Sequence, residues 1–237
     1  MAQLKLEKRG HTALITMSNP PANTWTRDTL TQLRDAVKSL DQDKNIYALV
    51  ITGEGDKFFS AGADLKLFAD GDKAIASDMA RIFGEAFETL SAFSGVSIAA
   101  INGYAMGGGL EVALACDIRI AEQQAQMALP EAKVGLLPCA GGTQNLAWLV
   151  GEGWAKRMIL CGERLGAEKA LQIGLVEEVV ATGMALESAL ALADKVAEQS
   201  PSSVTACKKL IQQGRNGSIQ SALPLERELF VGLFDTK

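Results

Sequence analysis

The chain has 237 residues, 48% hydrophobic and 22% charged, and its 23 Lys and Arg against 28 Asp and Glu leave a net charge of −5. That length and balance exclude disordered, collagen-like and coiled-coil classes and suit one large domain, with or without an appendage; the mild acidity argues against a dedicated nucleic-acid binder, which needs a clustered basic surface. A single histidine, His11, rules out multi-histidine metal sites and leaves any histidine-based triad to that one residue, so acid–base chemistry is expected from carboxylates, lysine, tyrosine or backbone groups.

In chain order, residues 4–8 alternate apolar and charged side chains, and residues 11–17 form a second strand across an Arg9-Gly10 turn. Asn19-Pro20-Pro21-Ala22-Asn23 is a stiff loop, because neither proline can donate to a ladder. Thr26 or Asp28 caps a helix through Leu40, with Leu30, Leu33, Val37 and Leu40 on one face. Residues 46–52 read as a buried strand, 53–62 as a loop, 64–68 as a helical turn and 72–93 as a long helix. Val96–Ile101 is a small-residue apolar strand, a helix starts over 107–116, and 117–121 return to strand. Beyond residue 140 helices predominate, at 141–150, 153–160, 167–173, 185–199, 201–213 and 218–234, with one strand at 175–180. The pattern is an α/β body, residues 1–183, followed by a helical region, residues 184–237.

The strand–helix alternation alone would suit a nucleotide-binding sheet, but neither GxGxxG nor GxxxxGK[ST] occurs. The cysteines Cys116, Cys139, Cys161 and Cys207 form no CxxC pair and are too sparse for a disulfide scaffold. The first nine residues carry charges where a signal peptide needs its apolar core, and no long uncharged apolar run follows, so a soluble cytoplasmic protein without a membrane partner is expected.

Three segments concentrate chemistry. Phe58-Phe59-Ser60-Ala61-Gly62-Ala63-Asp64 leads from two aromatics into small residues, which let a ligand approach the backbone, though a packed loop is the better explanation of this segment alone. Next comes Asn102-Gly103-Tyr104-Ala105-Met106-Gly107-Gly108-Gly109-Leu110-Glu111. Three consecutive glycines weaken a helix start, and make sense if its free N–H groups face a bound oxygen. Glu111 is the one charge between Asn102 and Cys116, so its helix should be buried on every side. A carboxylate there needs either a structural partner, such as Arg119, or a function that uses its raised pKa. In the third segment Pro130 suits the first position of a helix and places Glu131 in the first turn, where the helix dipole alone would explain it.

These segments carry a resemblance. Ser60-Ala61-Gly62-Ala63-Asp64, then Asn102 to Glu111, then Pro130-Glu131, then Ala140-Gly141-Gly142-Thr143-Gln144, in this order and spacing, resemble the crotonase (enoyl-CoA hydratase/isomerase) superfamily from about residue 3 onward. The resemblance implies a crotonase-like spiral of β/β/α units with a helical C-terminal trimerisation region, assembled as a homotrimer or homohexamer. It implies an acyl-CoA substrate, with coenzyme A as part of that substrate and no separate cofactor or metal. The backbone N–H groups of Ala63 and Gly108 would form the oxyanion hole. Glu111 would activate the water that adds at C3, and Glu131 would deliver a proton to C2 of a 2-enoyl-CoA, giving a 3-hydroxyacyl-CoA. Lys57, Ala61, Asp64, Leu65 and Gly107 would contact the substrate, with a solvated surface role as the other reading of Lys57. Phe68, Phe83 and Phe87 could line an acyl pocket or simply pack the core; Trp25 is equally ambiguous, and His11 reads as structural.

Two departures from the pattern stand out. Cys139 occupies a position where hydratases of this family usually have glycine, whose N–H helps hold the catalytic water; cysteine keeps that N–H, and its side chain narrows the pocket. Relatives also continue past the stretch Phe234-Asp235-Thr236-Lys237 with an amphipathic segment that helps close the site, which leaves closure by this sequence an open question. Two other functions fit less well: an enoyl-CoA isomerase, which needs one carboxylate, and a non-catalytic acyl-CoA-binding homologue.

Overall fold

The computed structural model describes residues 3–68 and 71–235, so Thr236 and Lys237 of the C-terminal stretch lie outside the described residues. The chain opens with an antiparallel hairpin, β1 (Gln3–Arg9) and β2 (Thr12–Ser18), in which Gln3 faces Ser18 and Arg9 faces Thr12. Helix α1 (Arg27–Gln42) starts at Thr26, whose hydroxyl accepts from the Thr29 N–H while Thr29 caps back, so Thr26 rather than Asp28 is the cap. The apolar face expected for this helix is buried.

A repeating unit follows. β3 (Ala48–Gly53) and β4 (Phe58–Ser60) lead to α2 (Lys73–Ser91), capped by Asp72. β5 (Val96–Ile101) and β6 (Tyr104–Met106) lead to α3 (Gly108–Ala115). β7 (Ile118–Glu122) and β8 (Gln126–Ala128) lead to α4 (Gly142–Leu160). The first strand of each unit joins a six-stranded sheet of order β1-β2-β3-β5-β7-β10, parallel from β2 onward. The second strand joins a four-stranded sheet, β4-β6-β8-β9, completed by β9 (Leu165–Gly166). This is the expected spiral of β/β/α turns. After β9 come α5 (Ala167–Gln172), β10 (Glu178–Val180), α6 (Ala185–Ala197), α7 (Pro201–Asn216) and α8 (Ile219–Gly232).

Alternation along β3 explains the layering. Leu49 and Ile51 face a core shared with α1, α2, α3 and α4, whereas Ala48 and Val50 face Ala185, Ala189 and Ala193 of α6. Among the described residues, α7 and α8 bury no side chain fully. Helix α7 is held by polar ties: Lys208 Nζ donates to Asp117 Oδ2 at 2.7 Å and to the Phe93 carbonyl at 2.6 Å.

Three details correct the sequence reading and one agrees with it. The segment 53–62 contains β4, and β6, β8 and β9 are strands that sequence periodicity missed; runs of two or three residues are too short for alternation to register. The helices expected at 141–150 and 153–160 are two, separated by a kink at Gly151 with φ 75° and ψ 160°. Pro130 sits at the cap rather than inside the turn, and Glu131–Val134 is 3₁₀. Arg119 does not pair with Glu111: its guanidinium donates to the carbonyls of Cys116 and Leu175 and to Glu177.

Candidate active site

Every residue of α3 is buried, as the single charge in an apolar run required, and Glu111 is only 3% exposed. Its carboxylate is held by the loop entering α4. Ala140 N–H donates to Glu111 Oε1 at 2.8 Å and Gly142 N–H donates to the same oxygen at 2.9 Å. Oε2 carries no bond to a described residue. Glu111 and Glu131 both line a cavity of about 600 Å³ whose other walls are largely apolar. A larger groove, about 1100 Å³, runs between α7, α8 and the body but contains none of these groups.

Glu131 reaches the cavity from the 3₁₀ turn after β8, and its Oε1 lies over Gly107: a Cβ placed on Gly107 would sit 3.0 Å from that oxygen. Its Oε2 is buried without a hydrogen-bond partner. Burial pushes the Glu131 carboxyl up to about 7, and the nearby Glu111 charge adds to the rise. Burial also raises Glu111, against the lowering effect of the Ala140 and Gly142 amides. The pair therefore holds a proton near neutrality, and its titration belongs to both groups together.

A stability consequence follows. Glu131 binds its proton more tightly in the folded state, so wild-type stability falls as pH rises from the unfolded value near 4.5 through about 7 and levels off above. Glu131→Gln removes this loss. The variant is expected to melt higher than wild type at pH 8, with the advantage shrinking below pH 5; a thermal-melt series from about pH 4 to 8 checks both ends. A variant that melts lower at pH 8 would mean the carboxylate is stabilising when charged.

Ala63 and Gly108 line the same cavity as the carboxylates. Trp25 bridges Ala63 in parallel, its N–H donating to the Gly62 carbonyl at 2.8 Å and its carbonyl accepting from Asp64 N–H at 3.4 Å. That pattern uses the groups on either side of Ala63 and turns the Ala63 N–H away from Trp25. Gly108 is the first residue of α3, so its N–H has no intrahelical acceptor. The two segments touch at Gly62, which has φ 87° and whose Cβ, if present, would lie 2.6 Å from the Met106 carbonyl and 2.9 Å from Gly108 N. Ser60, fully buried, steadies this loop: its hydroxyl donates to the Asn23 carbonyl at 2.7 Å and accepts from Gly62 N–H at 3.2 Å.

The structure brings Ala61, Ala63, Asp64, Leu65, Gly107, Gly108, Glu111, Glu131 and Cys139 to one cavity. It does not bring Lys57 there; that ammonium lies 5.5 Å from the Phe58 ring centre instead. The cavity's lysines are Lys66 and Lys133, which sequence reasoning passed over because isolated lysines on short turns look like solvated surface. The apolar rim of Val134, Leu136 and Leu137 was missed for a similar reason, since it spans the end of a 3₁₀ turn and a loop without periodicity. Phe68 and Phe83 line the cavity, whereas Phe87 and Trp25 are buried core residues in edge contact. His11 lies outside it, stacked on Tyr47. Cys139 opens on the cavity without a positive φ, so its N–H is presented by ordinary backbone. Partial desolvation, then the Glu111 and Glu131 charges, push its thiol up to about 11, which makes it a poor nucleophile at neutral pH. Among the described residues no cluster of three metal-ligating side chains occurs, and no helix is long and apolar enough to cross a membrane.

The chain is similar to known proteins over nearly its whole length. Residues 7–237 match the family model described as enoyl-CoA hydratase/isomerase. The chain is 36% identical over 233 residues to a short-chain-enoyl-CoA hydratase of Clostridium acetobutylicum, covering 98% of this chain and 89% of that protein. It is 39% identical over 238 residues to a 2,3-dehydroadipyl-CoA hydratase of Escherichia coli, covering 100% and 92%. Among solved structures it resembles Pseudomonas aeruginosa DspI, with TM-score 0.97 and 69% identity over 99% of this chain and 96% of that one. It also resembles an enoyl-CoA hydratase from Bacillus anthracis, with TM-score 0.95 and 33% identity over 99% and 92%.

Proposed function

The chain belongs to the enoyl-CoA hydratase/isomerase family, and from that premise we propose that it hydrates a 2-enoyl-CoA thioester to a 3-hydroxyacyl-CoA, using Glu111 and Glu131 as acid and base. The observation that carries this reading is the meeting of two carboxylates and two unpaired helix-start or loop amides on one largely apolar cavity.

The thioester oxygen accepts from Ala63 N–H and Gly108 N–H, which stabilise the charge that develops as the conjugated system is attacked. Such donors are preorganised because the Trp25 bridge and the α3 start fix their direction before substrate arrives. Glu111, with Oε1 held by two amides, uses Oε2 to take a proton from water as it adds to C3. Glu131, kept protonated near neutrality by its dry surroundings, gives a proton to C2. Cys139 N–H helps orient the water. Ala61, Asp64, Leu65 and Gly107 contact the thioester-bearing arm of the substrate. Coenzyme A enters as part of the substrate, and the reaction calls for no further cofactor. The exposed apolar side chains of Ile211, Phe230, Val231 and Phe234 around α7 and α8 support assembly as a homotrimer or homohexamer.

Incubating the purified chain with crotonyl-CoA is expected to give a product heavier by one water and to remove the conjugated thioester absorbance. A chain that leaves crotonyl-CoA unchanged, yet converts a 3-enoyl-CoA to an isomer of equal mass, would be an isomerase and would sink the hydratase reading.

A further inference from the structure

We propose that the side chain of Cys139 sets the enzyme's selectivity at C3 of the acyl group, admitting a hydrogen there and opposing a methyl branch. The inference rests on the hydratase reading and on the placement of one wall. Pro138 and Ala140, on either side of Cys139, are buried, and Cys139 alone of the three is exposed, on the cavity side. The next residue, Ala140, donates its N–H to Glu111 Oε1 at 2.8 Å. Cys139 is therefore tied to the Glu111 end of the carboxylate pair, where water adds to C3, rather than to the C2 end served by Glu131. After desolvation, the Glu111 charge raises the thiol more than the Glu131 charge does, in keeping with that tie.

The rest of the lining near the carboxylates is close-set. Gly108 lies close against Phe83, whose ring carbon would be 3.0 Å from a Cβ there, and Gly107 underlies Glu131. A second substituent on C3 must then compete with the Cβ and Sγ of Cys139 for space. Close-packed walls discriminate a single methyl group by a factor of roughly 10 to 200.

The test compares 3-methylcrotonyl-CoA with crotonyl-CoA as the ratio of their kcat/KM values in the wild type, Cys139→Gly and Cys139→Val. The intrinsic slowness of the branched thioester cancels between variants, as does any loss of folded protein, because both substrates meet the same preparation. Cys139→Gly is expected to raise the ratio by about tenfold or more, and Cys139→Val to lower it. Equal ratios in wild type and both variants, with crotonyl-CoA still hydrated, would overturn the selectivity role while leaving the hydratase reading intact. Failure of the wild type to hydrate either thioester would overturn both.

Discussion

Glu111→Gln is expected to lower hydration of crotonyl-CoA by at least about a hundredfold, and Glu131→Gln by a similar factor, the usual scale for lost acid–base catalysis. The geometry makes glutamine a sharp probe at position 111. Its amide oxygen can accept both the Ala140 and Gly142 N–H groups in place of Oε1. The amide NH₂ then occupies the place of Oε2, where it can donate to water but not take its proton. The cavity and its loop remain in place, so kcat should fall far more than KM rises. At position 131 the replacement keeps the size of the side chain but has no acidic proton to give C2. The losses should not multiply in the double variant, because the two groups act on one transition state. Near-wild-type turnover by either single variant, measured by loss of the conjugated thioester absorbance, would end the assignment of that residue.

The second large effect is expected at the oxyanion hole. Gly62→Ala introduces a methyl group 2.6 Å from the Met106 carbonyl and 2.9 Å from Gly108 N, at a backbone with φ 87°. Something must move, and what can move is the spacing between the Ala63 and Gly108 amides. Losing one donor from such a hole costs about 3 kcal/mol, so kcat should fall by roughly a hundredfold. Gly55 supplies the control. It has nearly the same φ, 85°, but nothing within 4 Å of an added Cβ. Gly55→Ala bears comparable backbone strain without the collision, so it should lower the melting temperature without the drop in kcat. Equal loss of kcat in both variants would assign the effect to general destabilisation and remove the oxyanion role from this contact.

Much of the architecture was legible because it is written in neighbouring residues. Thr26 caps its helix, and the spacing of Leu30, Leu33, Val37 and Leu40 marks a buried face; each signal spans one or two turns of chain. The buried helix around Glu111 was equally local, since one carboxylate among apolar side chains leaves no polar face to turn outward. The single histidine directed attention to carboxylates. The role of each glutamate, by contrast, came from the resemblance of four motifs, because Glu131 read alone is an ordinary first-turn residue.

Tertiary structure decided what local pattern cannot encode. The amides that grip Glu111 lie 29 and 31 residues further along the chain and are brought to it by the loop entering α4. The raised pKa of Glu131 depends on a dry cavity assembled from five separate stretches of chain. Lys66 and Lys133 replace Lys57 at the cavity, and Cys139 gains its meaning from standing beside two carboxylates. Caps and periodicity arise from contacts within a few residues, so the sequence displays them. Desolvation and the positions of donors and acceptors arise where distant segments cross, so only the folded chain determines them.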